Sequence, residues 1–427
     1  VTHSIEIQPV AGPLNAVIRP PGSKSITNRA LVCAALAKGD SVLAGALDSE
    51  DTRVMIECLT RLGLDVQHDR RACTVRVVGC DGRPPAADAD LYVSNSGTTV
   101  RFLTAMATLG RGTFRFDGKE RMRQRPIDDL LDALNQLGAD ARSEPGSGCP
   151  PVVVRAAGLP GGRATVAGDI SSQFLSGLLM AAPCAAGPVE LVVRGELVSK
   201  PYVEMTLAVM RAFGVVVEVE SADRFAVNGP AQYVGRTYQI EPDASAASYF
   251  FAAAAVTGGR VTVEGLSRDS LQGDVAFCDC LARMGCEVSY QPDSITVNGG
   301  SLYGIEVDMN AISDTVQTLA AVALFADGPT TVTHVGHIRH KETDRIAALA
   351  TELRKLGAAV DEWDDGLRIT PGELHAARID TYDDHRMAMS LAVVGLALPG
   401  VVILDPGCTA KTYPNFFADL ASVSENQ

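Results

Sequence analysis

The sequence predicts a two-domain α/β protein made of six repeats of about 71 residues, three per domain. Three observations lead there. A helix end, a glycine and a strand recur as LTRLGLDV, LNQLGADA, VMRAFGVVV, LARMGCEV and LRKLGAAV. Their glycines, Gly63, Gly138, Gly214, Gly285 and Gly357, are spaced by 75, 76, 71 and 72 residues. A second pattern, a polar head on a helix rich in Ala, Leu and Ser, occurs six times. Marked by Ser25, Gly97, Ser172, Ser245, Thr315 and Arg386, it has spacings of 72, 75, 73, 70 and 71. Finally, 427 residues in six units exceed what one core can organise.

Each element follows from its composition. In the first pattern the residues before the glycine have the spacing of an amphipathic helix. Glycine suits the left-handed residue that ends the helix, and a strand follows. In the second pattern the helices are GSKSITNRALVCAALA, NSGTTVRFLTAMA, ISSQFLSGLLMAA, DASAASYFFAAAAV, ISDTVQTLAAVALFA and DDHRMAMSLAVVGLA. They are apolar nearly all round, which predicts burial. Each unit thus pairs a buried helix with an outer one and several strands. No low-complexity linker is present, so the crossings between domains are expected at the turn-rich stretches 19–21 and 241–243.

Composition excludes several classes. A formal charge of −14 argues against nucleic acid or an anionic membrane as a bulk partner, though not against a local cationic pocket. With 46% hydrophobic and 21% charged residues, general disorder is not expected. The ten cysteines contain no CxxC pair; Cys278, Cys280 and Cys286 are the densest group. They predict free thiols in a reducing cytosol and no metal site. The opening VTHSIEIQPV alternates like a strand and lacks the basic-then-apolar order of a signal peptide. No apolar run is long enough for a membrane span.

The polar heads carry the chemistry. Ser, Thr, Asn or Asp at a helix start caps orphan N–H groups, which accounts for the hydroxyls but not for the cations. Lys24, Arg29, Arg101 and Arg386 lie at or near helix starts, where a positive charge opposes the helix dipole. An anion in front of the helix resolves the conflict. GSKS lacks the GxxxxGK[ST] pattern, so a nucleoside triphosphate is not indicated. KERMRQRP with Arg125, HIRHKETDR with Lys341, Glu342 and Arg345, and GCTAKTYPN with Lys411 add further cations. Alone, each reads as a solvated loop, a capped helix start or a turn. Together with the heads they describe an anion pocket.

PGSKSITNRA, NSGTTVRF, RMRQRPI, ISSQFLSGLLMAAP, LVSKPYVEMTL, ISDTVQTLA, HKETDRIAALATELRKLGA, DDHRMAMS and CTAKTYPNFF occur in this order from Pro20 to Phe417. The set closely resembles the 5-enolpyruvylshikimate-3-phosphate synthase family. The resemblance implies an inside-out α/β barrel in two domains, each with three βαβαββ-type units and with the active site in the cleft between them. The first strand would belong with the C-terminal half. The domains are then expected as residues 1–20 with 241–427, and 21–240. The implied reaction moves the enolpyruvyl group of phosphoenolpyruvate to the 5-hydroxyl of shikimate 3-phosphate and releases phosphate, without metal or organic cofactor. A cytoplasmic monomer with no nucleic-acid or membrane partner is expected.

The resemblance also implies roles. Lys24 would touch both substrates and Gln173 would lie between them. Ser25, Arg29, Ser171, Ser172, Ser199, Tyr202, His337, Lys341 and Asp314 would meet shikimate 3-phosphate. Gly97, Arg125, Arg345, Arg386 and Lys411 would meet phosphoenolpyruvate, with Gly97 leaving room for it. Asp314 would be the base and Glu342 the acid, with Lys24 beside them. The sequence departs from the family at His337, where Asn is common, at Phe102, where Pro is frequent, at Ser96, where Ala is frequent, and at His340, usually apolar. Gly97 favours susceptibility to glyphosate, which in this family competes with phosphoenolpyruvate.

The two substrates bring roughly −5 to −6 in charge, close to the seven cations Lys24, Arg29, Arg125, Lys341, Arg345, Arg386 and Lys411. An empty cleft is therefore expected to repel itself and a filled one to close. A protonated Glu342 needs substrate charge to offset Lys341. Three alternative readings fit the sequence less well. UDP-N-acetylglucosamine enolpyruvyl transferases typically carry Lys-Asn where this chain has Lys24-Ser25, and a Cys in the loop matching 118–126, where none occurs. RNA 3′-end cyclases have related repeats but need nucleotide and RNA sites. A non-catalytic anion binder would not be expected to keep Asp314, Glu342, Arg386 and Lys411 together.

Overall fold

The structure is a computed structural model that describes residues 3–425. The chain divides into two compact units, Gly22–Ile240 and Val1–Pro21 with Glu241–Gln427. The first boundary falls one residue after the position expected from sequence. Each unit has its own apolar core.

The helices alternate in kind. Six are buried: α1 (Lys24–Leu36), α3 (Gly97–Ala107), α5 (Ser172–Ala181), α7 (Ala244–Thr257), α9 (Val316–Ala323) and α11 (His385–Val394). α3, α9 and α11 are buried along their whole length. The intervening helices are α2 (Glu50–Arg61), α4 (Asp128–Gln136), α6 (Lys200–Ala212), α8 (Phe277–Arg283), α10 (Arg345–Lys355) and α12 (Phe416–Glu425). α2, α4, α6, α8 and α10 are followed by the five repeat glycines, whose φ values of 90° to 110° require the left-handed conformation read from the sequence.

Among the described residues there are six small sheets, five with four strands and one with three. The sheet of 88–92, 111–117, 140–143 and 152–157 shows the unit. Its first two strands are parallel across α3, and the remaining pairings are antiparallel. This gives the order strand, helix, strand, helix, strand, strand. Three strands are paired far from their sequence neighbours. Asn15–Ile18 lies parallel to Arg260–Glu264, and Thr237–Gln239 lies parallel to Asp40–Ala44. Ser4–Glu6 pairs with Val402–Leu404. Each crossing thus follows a strand that completes a sheet begun elsewhere in the chain, which places the N-terminal strands with the C-terminal half. Among the described residues no helix is long and apolar enough to cross a membrane, and no cluster of His, Cys, Asp and Glu could hold a metal ion.

Candidate active site

Five of the six heads are capped by a side chain, as the capping residues predict. Ser23, Ser96 and Ser171 accept from the backbone N of Ile26, Thr99 and Gln173, each at 3.3 Å. Asp243 and Asp384 accept from Ala246 N and Arg386 N at 2.9 Å. The sixth head differs. Asn310–Thr315 is a 3-10 turn, and no side chain of it caps α9. Asp314, on that turn, is instead held by cations. At the HKETDR segment Asp344 caps α10, accepting from Ala347 N at 3.1 Å.

In the Gly22–Ile240 unit, Lys24 and Ser172 open α1 and α5, and Ser199 stands ahead of α6 with a left-handed φ of 52°. Arg29 is 1% exposed. Its guanidinium donates to Thr206 Oγ1 at 2.7 Å, to the Ser25 carbonyl at 2.9 Å and to the Tyr202 carbonyl at 3.1 Å. It also lies over the Phe102 and Tyr202 rings, 5.3 and 6.0 Å from their centroids. These partners are all neutral, and burial pulls the Arg29 pKa down to about 10. A buried cation without a carboxylate is a place for an anion. Asn28 Nδ2 donates to Thr98 Oγ1 at 2.8 Å, which joins the heads of α1 and α3.

Arg101 donates to Gln173 Oε1 at 2.8 Å and to the Pro126 carbonyl at 3.2 Å, and stacks on Phe174. It therefore fixes Gln173 and the segment after Arg125. Arg125 follows the 3-10 turn Met122–Gln124, is buried, and donates to the carbonyl and side chain of Asn95 at 3.0 and 3.2 Å. A Cβ on Gly97 would lie 2.5 Å from Arg125 Nη2 and 3.2 Å from Arg101 Nη1. The first protein group crowded by a side chain at Gly97 is thus Arg125 itself.

In the other unit, Asp314 Oδ1 accepts from Lys341 Nζ at 2.6 Å and Arg345 Nη1 at 3.1 Å, and Oδ2 from Arg386 Nη2 at 2.8 Å. Arg345 also reaches Glu342 Oε2 and Asp384 Oδ2, both at 2.8 Å. Lys411 Nζ lies 3.4 Å from Glu342 Oε1. Burial works against the Arg345 charge, but Asp384, Glu342 and Asp314 outweigh it and move its pKa up. Burial moves Lys341 down despite Asp314. His337 is buried, and burial with the nearby Lys341 charge pulls it down to about 3, so it is neutral.

Four cations here face three carboxylates. The charge balance expected from the sequence contains these cations but not these carboxylates. That corrects the expectation of a self-repelling empty site within this unit. Asp384 was the residue missed; its signal was its place as the cap of DDHR. The sequence marks Arg101 only as a cation at a helix start, and nothing local signals Asn95, Thr206 or the stacking of Phe102.

The arrangement is one of capped helix heads carrying cations, a carboxylate shared by three cations and a second carboxylate beside them. Residues 9–420 match the family model described as EPSP synthase (3-phosphoshikimate 1-carboxyvinyltransferase). The 3-phosphoshikimate 1-carboxyvinyltransferase of Nostoc punctiforme is 49% identical over 415 residues, covering 97% of each chain. That of Shewanella denitrificans is 47% identical over 427 residues, covering 99% of each. The chloroplastic protein of Brassica napus is 48% identical over 442 residues, covering 99% of this chain and 85% of its own. The EPSP synthase structure from Acinetobacter baumannii superposes with a TM-score of 0.82 at 25% identity, over 99% of this chain and 98% of that one. The enolpyruvyl transferase NikO from Streptomyces tendae shares the fold, with a TM-score of 0.79 at 20% identity over 98% and 97% of the two chains. On these matches the chain belongs to the EPSP synthase (3-phosphoshikimate 1-carboxyvinyltransferase) family.

Proposed function

We propose that the protein transfers the enolpyruvyl group of phosphoenolpyruvate to the 5-hydroxyl of shikimate 3-phosphate, releasing phosphate, in the shikimate pathway of aromatic amino-acid biosynthesis. The observation that carries the residue roles is Asp314 held on both oxygens by Lys341, Arg345 and Arg386, with Glu342 against Arg345 and Lys411.

In this reading Lys24, Ser25, Arg29, Ser171, Ser172, Gln173, Ser199, Tyr202, Asp314, His337 and Lys341 take shikimate 3-phosphate. Lys24, Gly97, Arg125, Gln173, Arg345, Arg386 and Lys411 take phosphoenolpyruvate. Asp314 accepts the proton of the 5-hydroxyl as its oxygen attacks C2. Cations weaken a carboxylate as a base, so fixed position supplies part of the effect. Glu342 delivers a proton to C3; in the elimination C3 gives a proton back to Glu342 as the C2–O bond to phosphate breaks, and the proton held by Asp314 leaves with the phosphate, which closes the addition–elimination cycle. Two cations touching Glu342 favour its ionised form, so its protonation follows when the substrate carboxylate and phosphate draw Arg345 and Lys411 toward themselves. Lys24 neutralises charge on both substrates. His337, neutral, serves as a hydrogen-bonding group. We further propose that the two compact units are the two domains, that their heads act on one substrate pair, and that the protein is a cytoplasmic monomer.

The test is product identity. Mass spectrometry of a mixture of both substrates is expected to show shikimate 3-phosphate carrying one carboxyvinyl ether. UDP-N-acetylglucosamine in its place is expected to stay unmodified; its modification instead would overturn the reading.

A further inference from the structure

Glu352 lies seven residues after Arg345 on α10, two turns along the same face. It has no exposed surface, and none of the roles above uses it. Lys355 Nζ donates to both its oxygens at 2.9 Å, the backbone N of Asp380 to Oε2 at 3.1 Å, and the Tyr382 hydroxyl to Oε1 at 2.6 Å. Lys355 also donates to Asp380 Oδ2 at 2.7 Å.

The strap that Glu352 holds is strained. Tyr382 and Asp383 have φ of 56° and 52°, and two consecutive left-handed residues other than glycine do not persist without support. The next residue is Asp384, which receives Arg345 and caps α11, two residues ahead of Arg386. α10 therefore grips the strap at both ends, Arg345 at Asp384 and Glu352 at Asp380 and Tyr382. A hydroxyl at 2.6 Å from a buried carboxylate that Lys355 also holds is a strong tether.

We propose that Glu352, acting through the Tyr382 hydroxyl, is a positioning residue for phosphoenolpyruvate. It holds the left-handed turn at 382–383, and the turn sets Asp384 and through it Arg345 and Arg386. The ligand named here rests on the transferase reading above; the tether does not. Without the tether the turn relaxes toward right-handed dihedrals and rotates the Asp384 carboxylate away from Arg345.

Tyr382→Phe tests this by deleting one oxygen from a side chain that is 39% exposed. KM for phosphoenolpyruvate is expected to rise about tenfold while KM for shikimate 3-phosphate changes by less than about twofold. Amide exchange at 383–387 is expected to quicken about tenfold, with α10 unchanged. Adding Asp383→Gly, which accepts a left-handed φ without steric cost, is expected to restore much of the lost affinity. Unchanged KM and exchange in Tyr382→Phe would overturn the proposal. So would equal losses for both substrates that follow the folded fraction and are not relieved by the glycine. If the wild type releases no phosphate from the two substrates, the transferase reading fails and exchange alone decides. Faster exchange confined to 383–387 then upholds the tether, and unchanged exchange refutes it.

Discussion

Asp314 is the residue on which most of the chemistry turns, because three cations share it. Asp314→Asn keeps the shape and removes the charge. It is expected to lower kcat by about 10²–10⁴-fold as a lost base. It also leaves buried cations short of a partner, which costs about 3–5 kcal/mol in the empty protein. Inorganic phosphate should then raise the Tm of the variant more than that of the wild type; equal shifts would mean that the cations do not need Asp314. His337 gives a pH signature of opposite kind. Its folded pKa, about 3, lies below the ordinary 6.5, so the unfolded chain takes up the proton first. Its neutral, buried state is at no disadvantage above about pH 6.5, and stability falls as the pH drops from there toward 3. The slope from one such group is about 1.4 kcal/mol per pH unit. His337→Asn should flatten urea-denaturation stability between about pH 6 and 4 by up to that amount; an unchanged slope would mean that His337 titrates normally.

At the scale of elements, the repeat glycines allow a graded prediction. All five are left-handed, but their surroundings differ. A Cβ on Gly214 meets only Val234 at 3.6 Å, whereas one on Gly357 would lie 2.1 Å from the Glu373 carbonyl and one on Gly285 2.2 Å from that of Ser301. Gly214→Ala should cost about 1–2 kcal/mol, the price of the backbone conformation alone. Gly357→Ala and Gly285→Ala should cost more, measured by chemical denaturation; equal losses at all three would show that packing is irrelevant. These glycines, and five of the six caps, were legible because a helix end is a local event written in a few residues. The pairings of strands 15–18 and 237–239 were not, since each partner lies far along the chain and nothing near either strand in sequence names it; only the family resemblance put residues 1–20 with the C-terminal half. Asp384 was overlooked for the same reason. Its capping role is local, but its hold on Arg345, 39 residues away, is tertiary. Phe102 against Arg29 is likewise a contact between helices. Gly97 was read for its closeness to a ligand, while the nearest obstacle to a side chain is Arg125. Gly97→Ala should therefore displace that guanidinium and raise KM for phosphoenolpyruvate about tenfold or more, as loss of a charged hydrogen bond requires. An unchanged KM would place Arg125 outside the site.

For the whole molecule, a chain of net charge −14 gathers its candidate site cations at helix heads and the loops beside them. Within the unit of residues 241–427 they are largely balanced by carboxylates; Arg29 in the other unit is not. If both sets serve one substrate pair, small-angle scattering should record a smaller radius of gyration with both ligands present than with neither, and an unchanged radius would count against joint action. The central claim is the reaction itself. Purified protein mixed with phosphoenolpyruvate and shikimate 3-phosphate should release inorganic phosphate, and neither substrate alone should do so. Release from phosphoenolpyruvate alone, or none from the pair, would contradict it.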